Sequence, residues 1–376
     1  MMVDWVLTSL GEFCSITMGQ SPAGAAVNRN ADGLPLLNGP TEFGPRHPVP
    51  VQWASHWSKE AEAGDLLFCV RGSTTGRMNW ADQKYAIGRG IASIRGKNPS
   101  DTRFARAVID LRLAGLLQQA TGSTFPNLSR GQLSEVDFLC PPKAERERIA
   151  GMLGAFDDLI ETNRRLATDL ENLARALSSR PLGRVPLVDV ADVPRLVQRR
   201  PEGFVDHYSI PAYDAGYLAS REPSESILSG KQMLDADSVL ISRLNPTSER
   251  TWMVYPDVEV RAVCSPEFAV VRGTKELPTE VLWAFASSRE FWDQMRGSVG
   301  GTTNSRQRVD KAAIPTFEVP DPKELSRREV ATIQTCVRSA VELRREAAAV
   351  SSQRDELLPL LMSGKVRVRD AEATVL

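Results

Sequence analysis

Between Lys143 and Leu177, apolar and small residues recur three and four steps apart, at Ile149, Leu153, Phe156, Ile160, Ala167, Leu170, Ala174 and Leu177, with the polar Asn163 at the remaining seam position. The spacing predicts one long helix with a coiled-coil seam, opened by Pro141 and Pro142 and closed by Pro181 and Gly183. Met152, Leu159, Leu166 and Leu173 widen the stripe on one flank, which predicts more than one neighbour, while Glu145, Arg148, Asp157, Glu161 and Arg164 are expected to face water. At about 1.5 Å per residue the helix would span about 50 Å, more than the alternative, a helix in one small core, requires. The segment Leu325 to Leu358 keeps the same alternation at Ile333, Cys336, Ala340, Leu343, Ala347, Val350 and Leu357, with Arg354 as its polar exception. Two such seams in one chain predict an antiparallel pair.

Outside the seams the pattern changes to short β-like runs set among glycines and prolines, among them Leu66 to Val70 and Ile87 to Ile94. The runs recur. Gly64 to Arg71 matches Ala236 to Arg243 at an offset of 172, and Ile91 to Gly96 matches Phe268 to Gly273 at 177, with helical stretches expected from about Thr102 and Thr279. Gly122-Ser123-Thr124 and Pro142 match Gly300-Gly301-Thr302 and Pro320 at 178. Asn38 to Trp57 aligns with nothing in the second half. The expected fold is α/β (α+β): two pseudo-symmetric mixed α/β domains separated by a pair of long antiparallel coiled-coil helices. The boundaries are residues 1–140 for the first domain, 141–180 for the first helix, 181–320 for the second domain, 321–364 for the second helix and 365–376 for a tail.

Composition narrows the chemistry. The 376 residues are 42% hydrophobic and 25% charged with a net charge of −1, enough to bury substantial cores and too little positive charge to hold nucleic acid in bulk. No apolar run approaches membrane-spanning length and no basic region precedes an apolar one at Met1 to Leu10, so a cytoplasmic protein without membrane attachment is expected. Cys14, Cys69, Cys140, Cys264 and Cys336 are scattered, with no C-x-x-C pair, and read as reduced thiols; His47, His56 and His207 lack metal-ligand spacing. No phosphate loop is present, Gly88-Arg89-Gly90 lacks the third glycine of a dinucleotide turn, and no nucleophile elbow appears. Cys140-Pro141-Pro142-Lys143 and Asn245-Pro246-Thr247 both fail the Asp/Asn-Pro-Pro-aromatic pattern of amino-methyltransferases. A binding role is favoured over catalysis.

The loops after the repeated strands are the candidate binding surface. Arg71, Ser73, Thr74, Thr75 and Arg77, with Gly72 and Gly76, combine cations suited to phosphate or guanine with small residues that permit close backbone approach. Arg243, Asn245, Thr247 and Arg250 form the counterpart, and Thr124, Asn127 and Arg130 are echoed by Thr303, Asn304, Arg306 and Arg308. Singly, each of these residues fits a solvated turn as well as a DNA contact; their paired placement favours contact.

Pro142, Glu145, Ile149-Ala150, Leu153, Asp157-Asp158, Ile160-Glu161, Asn163-Arg164-Arg165 and Leu170-Glu171 resemble the first central helix of type I restriction-modification DNA specificity subunits. Leu357 to Lys365 resembles the close of that family's second helix, and Gly19-Gln20-Ser21-Pro22 and Gly64-Asp65-Leu66-Leu67 resemble landmarks of its target recognition domains, adding Gln20 and Ser21 to the DNA-contact candidates. Three features depart from the pattern: Arg146 replaces a usual Gln, Glu329 to Ala340 matches poorly, and no Gly-x-Ser-Pro stands near Leu187. The resemblance implies double-stranded DNA as ligand, each domain reading half of a bipartite target. It implies docking of two modification (methyltransferase) subunits on the helices, with the seam residues Ile149, Leu153, Phe156, Ile160, Leu170, Leu177, Ile333, Leu343, Val350 and Leu357 as spacer and subunit interface. It also implies a restriction subunit as a further partner. S-adenosylmethionine would belong to the modification subunits and ATP with Mg to the restriction subunit, leaving this chain non-catalytic and without a cofactor or metal of its own. The competing reading is a coiled-coil adaptor for proteins, less suited to loops rich in Arg, Ser, Thr and Asn than to Trp and Tyr.

Overall fold

The computed structural model describes residues 5–120, 126–179, 183–199, 202–227, 229–257, 259–300 and 307–368. The chain divides into two compact units, Met1–Glu161 with Ala349–Leu376, and Thr162–Ala348, so each long helix contributes a segment to both.

In the first unit a four-stranded antiparallel sheet has the order Ser15–Met18, Ile91–Arg95, Leu66–Cys69, Met78–Trp80. A second sheet contains Leu34–Leu37 and Tyr85–Ile87, paired parallel. The run expected over Ile87 to Ile94 is therefore two strands in two sheets, broken at Gly88-Arg89-Gly90. The break is sterically required: a Cβ at Gly88 or Gly90 would lie 2.3 or 2.4 Å from atoms of Asn38. The helix Pro99–Gln119, N-capped by Asn98, lays Phe104, Ala105 and Val108 on Phe68 and Ile94, and Ile149, Leu153, Leu361 and Met362 from the long helices close the same core. Arg146 at the start of the first long helix donates to Asp101 at 2.6 Å, tying that helix to Pro99–Gln119.

The second unit repeats this framework. Thr251–Val254, Ser238–Ser242 and Phe268–Val271 form one antiparallel sheet, and in the other Phe204–Tyr208 pairs parallel with Arg261–Cys264. Val281, Phe285, Trp292 and Met295 cover the first sheet with Ile333, Cys336, Val337 and Ala174. Burying each large side chain in these cores contributes about 1.5–3 kcal/mol.

The long helices run Lys143–Ser178 and Arg327–Met362, 36 residues each. The seams are buried at Ile149, Leu153, Ile160, Ala167 and Ala174 and at Ile333, Cys336, Ala340, Ala347 and Val350, while Phe156, Leu170, Leu177, Leu343 and Leu357 are half-buried. In the first unit Arg354 donates to Asp157 at 2.5 Å, and in the second Arg344 grips Glu171 in two bonds of 3.1 and 2.9 Å. Within the first unit Asp157 meets Arg354 while the earlier Ile149 and Leu153 share a core with the later Leu358 and Leu361, the signature of antiparallel packing. The polar seam position Arg354 is thus matched by a carboxylate. Glu145, Asp157 and Glu161 are half-buried rather than fully in water; on the flank Met152 packs against the first core, whereas Leu159, Leu166 and Leu173 are 42, 45 and 46% exposed, so the extra neighbour expected there is not supplied to those three by the described residues of this chain.

A set of backbone bonds recurs in both frameworks, with one correction to the expected alignment. Val70 donates its N–H to Gly90 and accepts from Leu128; Arg243 donates to Glu267 and accepts from Val309. Arg71 bridges Asn127 where Leu244 bridges Arg308. Arg243 therefore occupies the place of Val70, and Leu244 that of Arg71, one residue away from the match of Arg71 to Arg243. In a strand one step changes faces, so the two arginines do not point the same way. The later anchors hold: Thr102 and Thr279 accept equivalent bonds from the N–H groups of Gly96 and Gly273. Asn38, for which sequence offered no counterpart, follows Leu37 as Ser209 follows Tyr208, because Gly88 N–H binds Leu37 as Ser265 N–H binds Tyr208.

Candidate nucleic-acid interface

The first unit gathers its candidate residues at one end of the Leu66–Cys69 and Ile91–Arg95 strands. Positive φ at Gly72 (98°) and Gly76 (94°) turns the chain tightly after Leu66–Cys69. Thr75 braces the turn by donating its hydroxyl to Gly72 and Pro126, and the Thr74 hydroxyl lies 3.9 Å from the Cys69 thiol. Those two threonines are committed to the turn, whereas Ser73, Arg71 and Arg77 are exposed. Arg71 reaches Asn127 at 3.5 Å and Arg77 reaches the Pro40 carbonyl at 3.5 Å, both long contacts. Leu128 N–H on Val70 and Gly72 N–H on Pro126 bring Asn127 and Arg130 alongside, with Arg130 opening the short helix capped by Ser129. Gln20 and Ser21 join from the adjacent loop: Gln20 N–H donates to Ile87, and the Ser21 hydroxyl accepts from Arg89 N–H at 3.3 Å and donates to Asn38 at 3.5 Å.

Arg89 is a side chain that the loop pattern alone does not single out. It is exposed on the Gly88-Arg89-Gly90 turn, next to Val70 and Ser21. A signal for it exists in the sequence: an arginine flanked by glycines between two apolar runs.

The second unit places its candidates at the equivalent strand end with different commitments. Arg243 is half-buried, donates to the carbonyls of Val309 at 3.4 Å and Pro266 at 3.0 Å, and leaves its Nε buried without a partner. Lys311 lies beside it and donates to Gln232 at 2.9 Å; burial, followed by the Arg243 charge, pulls its ammonium below the ordinary lysine value. Arg250 is locked to Asp214 by two bonds of 2.7 and 2.9 Å. Arg308 donates to Glu267 at 2.6 Å. Asn245 sits at φ 53° and accepts from the exposed Thr247 at 2.9 Å. Thr124, Thr303, Asn304 and Arg306, like most of the Gly122 and Gly300 matches, lie outside the described residues.

Among the described residues, no group of His, Cys, Asp and Glu could hold a metal ion, and no helix is long and apolar enough to cross a membrane. The five cysteines are free thiols, and burial pushes Cys14 and Cys264 up to about 12. The site is thus a surface of backbone turns, hydroxyls, amides and guanidinium groups, suited to grip phosphates and base edges.

Known proteins match this arrangement. Residues 2–172 match the family model of the type I restriction modification DNA specificity domain. The MjaX specificity subunit of Methanocaldococcus jannaschii, assigned to a type I restriction enzyme, is 32% identical over 177 residues, 46% of this chain and 41% of that one. The type I restriction enzyme MjaVIII specificity subunit of the same organism is 25% identical over 163 residues, 42% and 37% of the two chains. The matched stretch thus spans less than half the length of either relative. The crystal structure of the type I restriction-modification system S subunit from M. genitalium is 16% identical and aligns with a TM-score of 0.58 over 96% of each chain, a likeness of fold. Residues 2–172 of this chain are thus similar to the DNA specificity domain of type I restriction-modification systems, and nearly the whole chain shares its fold with the S subunit from M. genitalium.

Proposed function

We propose that this chain is the sequence-reading subunit of a type I restriction-modification complex, binding double-stranded DNA with the loops of each unit on one half of a bipartite target. The observation that carries the reading is the duplicated framework. Equivalent hydrogen bonds hold equivalent strand ends, yet the loops they present are Gly88-Arg89-Gly90 in one unit and Ser265-Pro266-Glu267 in the other. One scaffold bearing two unlike polar loop sets suits a reader of two unlike half-sites, and suits poorly an adaptor whose two ends would meet apolar hot spots. The two helices fix the gap between half-sites and dock two modification subunits. The exposed leucines at 159, 166 and 173, one heptad apart, support a partner on that flank. Chemistry resides in the partners: adenine methylation with S-adenosylmethionine in the modification subunits, ATP-driven translocation and cutting with Mg in a restriction subunit. This chain directs without catalysing.

Methylome sequencing of cells with and without the gene tests the reading. A bipartite adenine-methylated motif that vanishes on deletion supports it; an unchanged methylome contradicts it. Removing one heptad from each helix should shorten the preferred gap and leave both half-site sequences as they were.

A further inference from the structure

We infer that the two units divide the work of binding: the first supplies the salt-dependent grip on the DNA backbone through Arg71, Arg77, Arg89 and Arg130, and the second contributes less because, among its described residues, Arg250 and Arg308 at the corresponding strand end are each held by a carboxylate. The inference rests on the DNA-reading function proposed above and deepens it.

In the first unit the four side chains are exposed, and among the described residues none of them forms an ion pair. They lie at one strand end, since Cys69 pairs with Ile91, Val70 binds Gly90 and Leu128, and Arg77 returns its carbonyl to Cys69. The second unit inverts this charge. Where Arg89 stands between glycines, the equivalent turn carries Glu267, which takes Arg308. Arg250, whose carbonyl accepts from Ser242 as that of Arg77 does from Cys69, is held by Asp214 where Arg77 has only a carbonyl at 3.5 Å. Arg296 is shared by Glu249 and Asp293 at 2.8 and 2.7 Å. A guanidinium that already holds a carboxylate releases few counterions when it meets a phosphate, so the counterion-release share of affinity falls to the unit with free arginines.

The test is a fluorescence-anisotropy titration of the full chain with a labelled random-sequence duplex across about 0.05–0.2 M salt, each variant first shown to melt cooperatively. The quadruple variant Arg71→Ala, Arg77→Ala, Arg89→Ala, Arg130→Ala should flatten the slope of log affinity against log salt by about two to four units, at about 0.9 for each phosphate no longer neutralised. The pair Arg250→Ala and Arg308→Ala should change it by less than about half a unit. Asp214→Asn with Glu267→Gln, which frees the same two arginines without deleting them, should steepen it. Equal flattening by both arginine sets, or no steepening on removing the carboxylates, would overturn the division. A wild type that shows no salt-dependent duplex binding, either alone or assembled with its modification subunits, would remove the DNA-reading function itself.

Discussion

At the equivalent strand end the first unit buries Val70, 1% exposed, and the second places Arg243, half-buried with its Nε unpartnered. The backbone bonds around the two residues are the same; the side chains are not. From that exchange the loop clusters diverge. The first unit surrounds its strand end with glycine turns and exposed arginines, while the second threads Arg243 between the carbonyls of Pro266 and Val309 and cancels Arg250 and Arg308 with carboxylates. The comparison teaches that a duplicated framework preserves hydrogen-bond register and leaves the chemistry of the turns free to change.

The largest effect that would sharpen the comparison is Val70→Arg. The first unit has no ready cradle for a guanidinium there, and burying an unsatisfied cation should cost at least about 3 kcal/mol. The reciprocal change, Arg243→Met, removes a buried orphan donor while leaving two carbonyls to other partners, and should stay within about 1 kcal/mol of wild type by denaturant unfolding. Comparable losses from both would show that the two environments are not as different as the bonds indicate.

Seam substitutions come next. Ile149→Asp should lower the unfolding transition of the first unit and Ile333→Asp that of the second, each by several kcal/mol, since both positions are at most 1% exposed. Hydrogen exchange resolves the units: protection lost in Phe104 to Val108 for the first variant and in Val281 to Phe285 for the second is expected, and unchanged protection in either case would refute the packing.

A smaller contrast separates Arg250→Ala from Arg77→Ala. Arg250 holds a bidentate pair and is 16% exposed in its side chain, so its loss should cost about 1 kcal/mol; Arg77, exposed with a single long contact, should cost less than about 0.5 kcal/mol.

The long helices were the most legible part of the chain, because a heptad pattern is set by side-chain spacing alone: Lys143–Ser178 lies inside the stretch 141–180 and Arg327–Met362 inside 321–364. The parallel strand pairs were not legible. Leu34–Leu37 and Tyr85–Ile87 are joined by a long stretch of chain, and their equivalents share geometry without sharing residues. The repeat itself could be read, but its register slipped by one because an arginine ends both apolar runs, and identity outweighed the two-residue period that decides which face it occupies. For the candidate loops, two residues that sequence had grouped, Arg71 and Asn127, touch in the structure. Sequence could not foresee that Thr75 braces the turn, or that Asp214 and Glu267 hold Arg250 and Arg308, since those partners are remote in sequence and chosen by the fold.

The central claim is that one framework presents two loop sets that read separately. Modification of a randomised duplex library by the assembled complex, read by sequencing, tests it most directly, with wild type beside Gln20→Ala, Ser73→Ala and beside Asn245→Gly, Thr247→Ala. The first pair should relax base preference in one half-site only and the second pair in the other, by about 1–3 kcal/mol for each base no longer read, with the gap unchanged. Altered preference in both half-sites from either pair would contradict it.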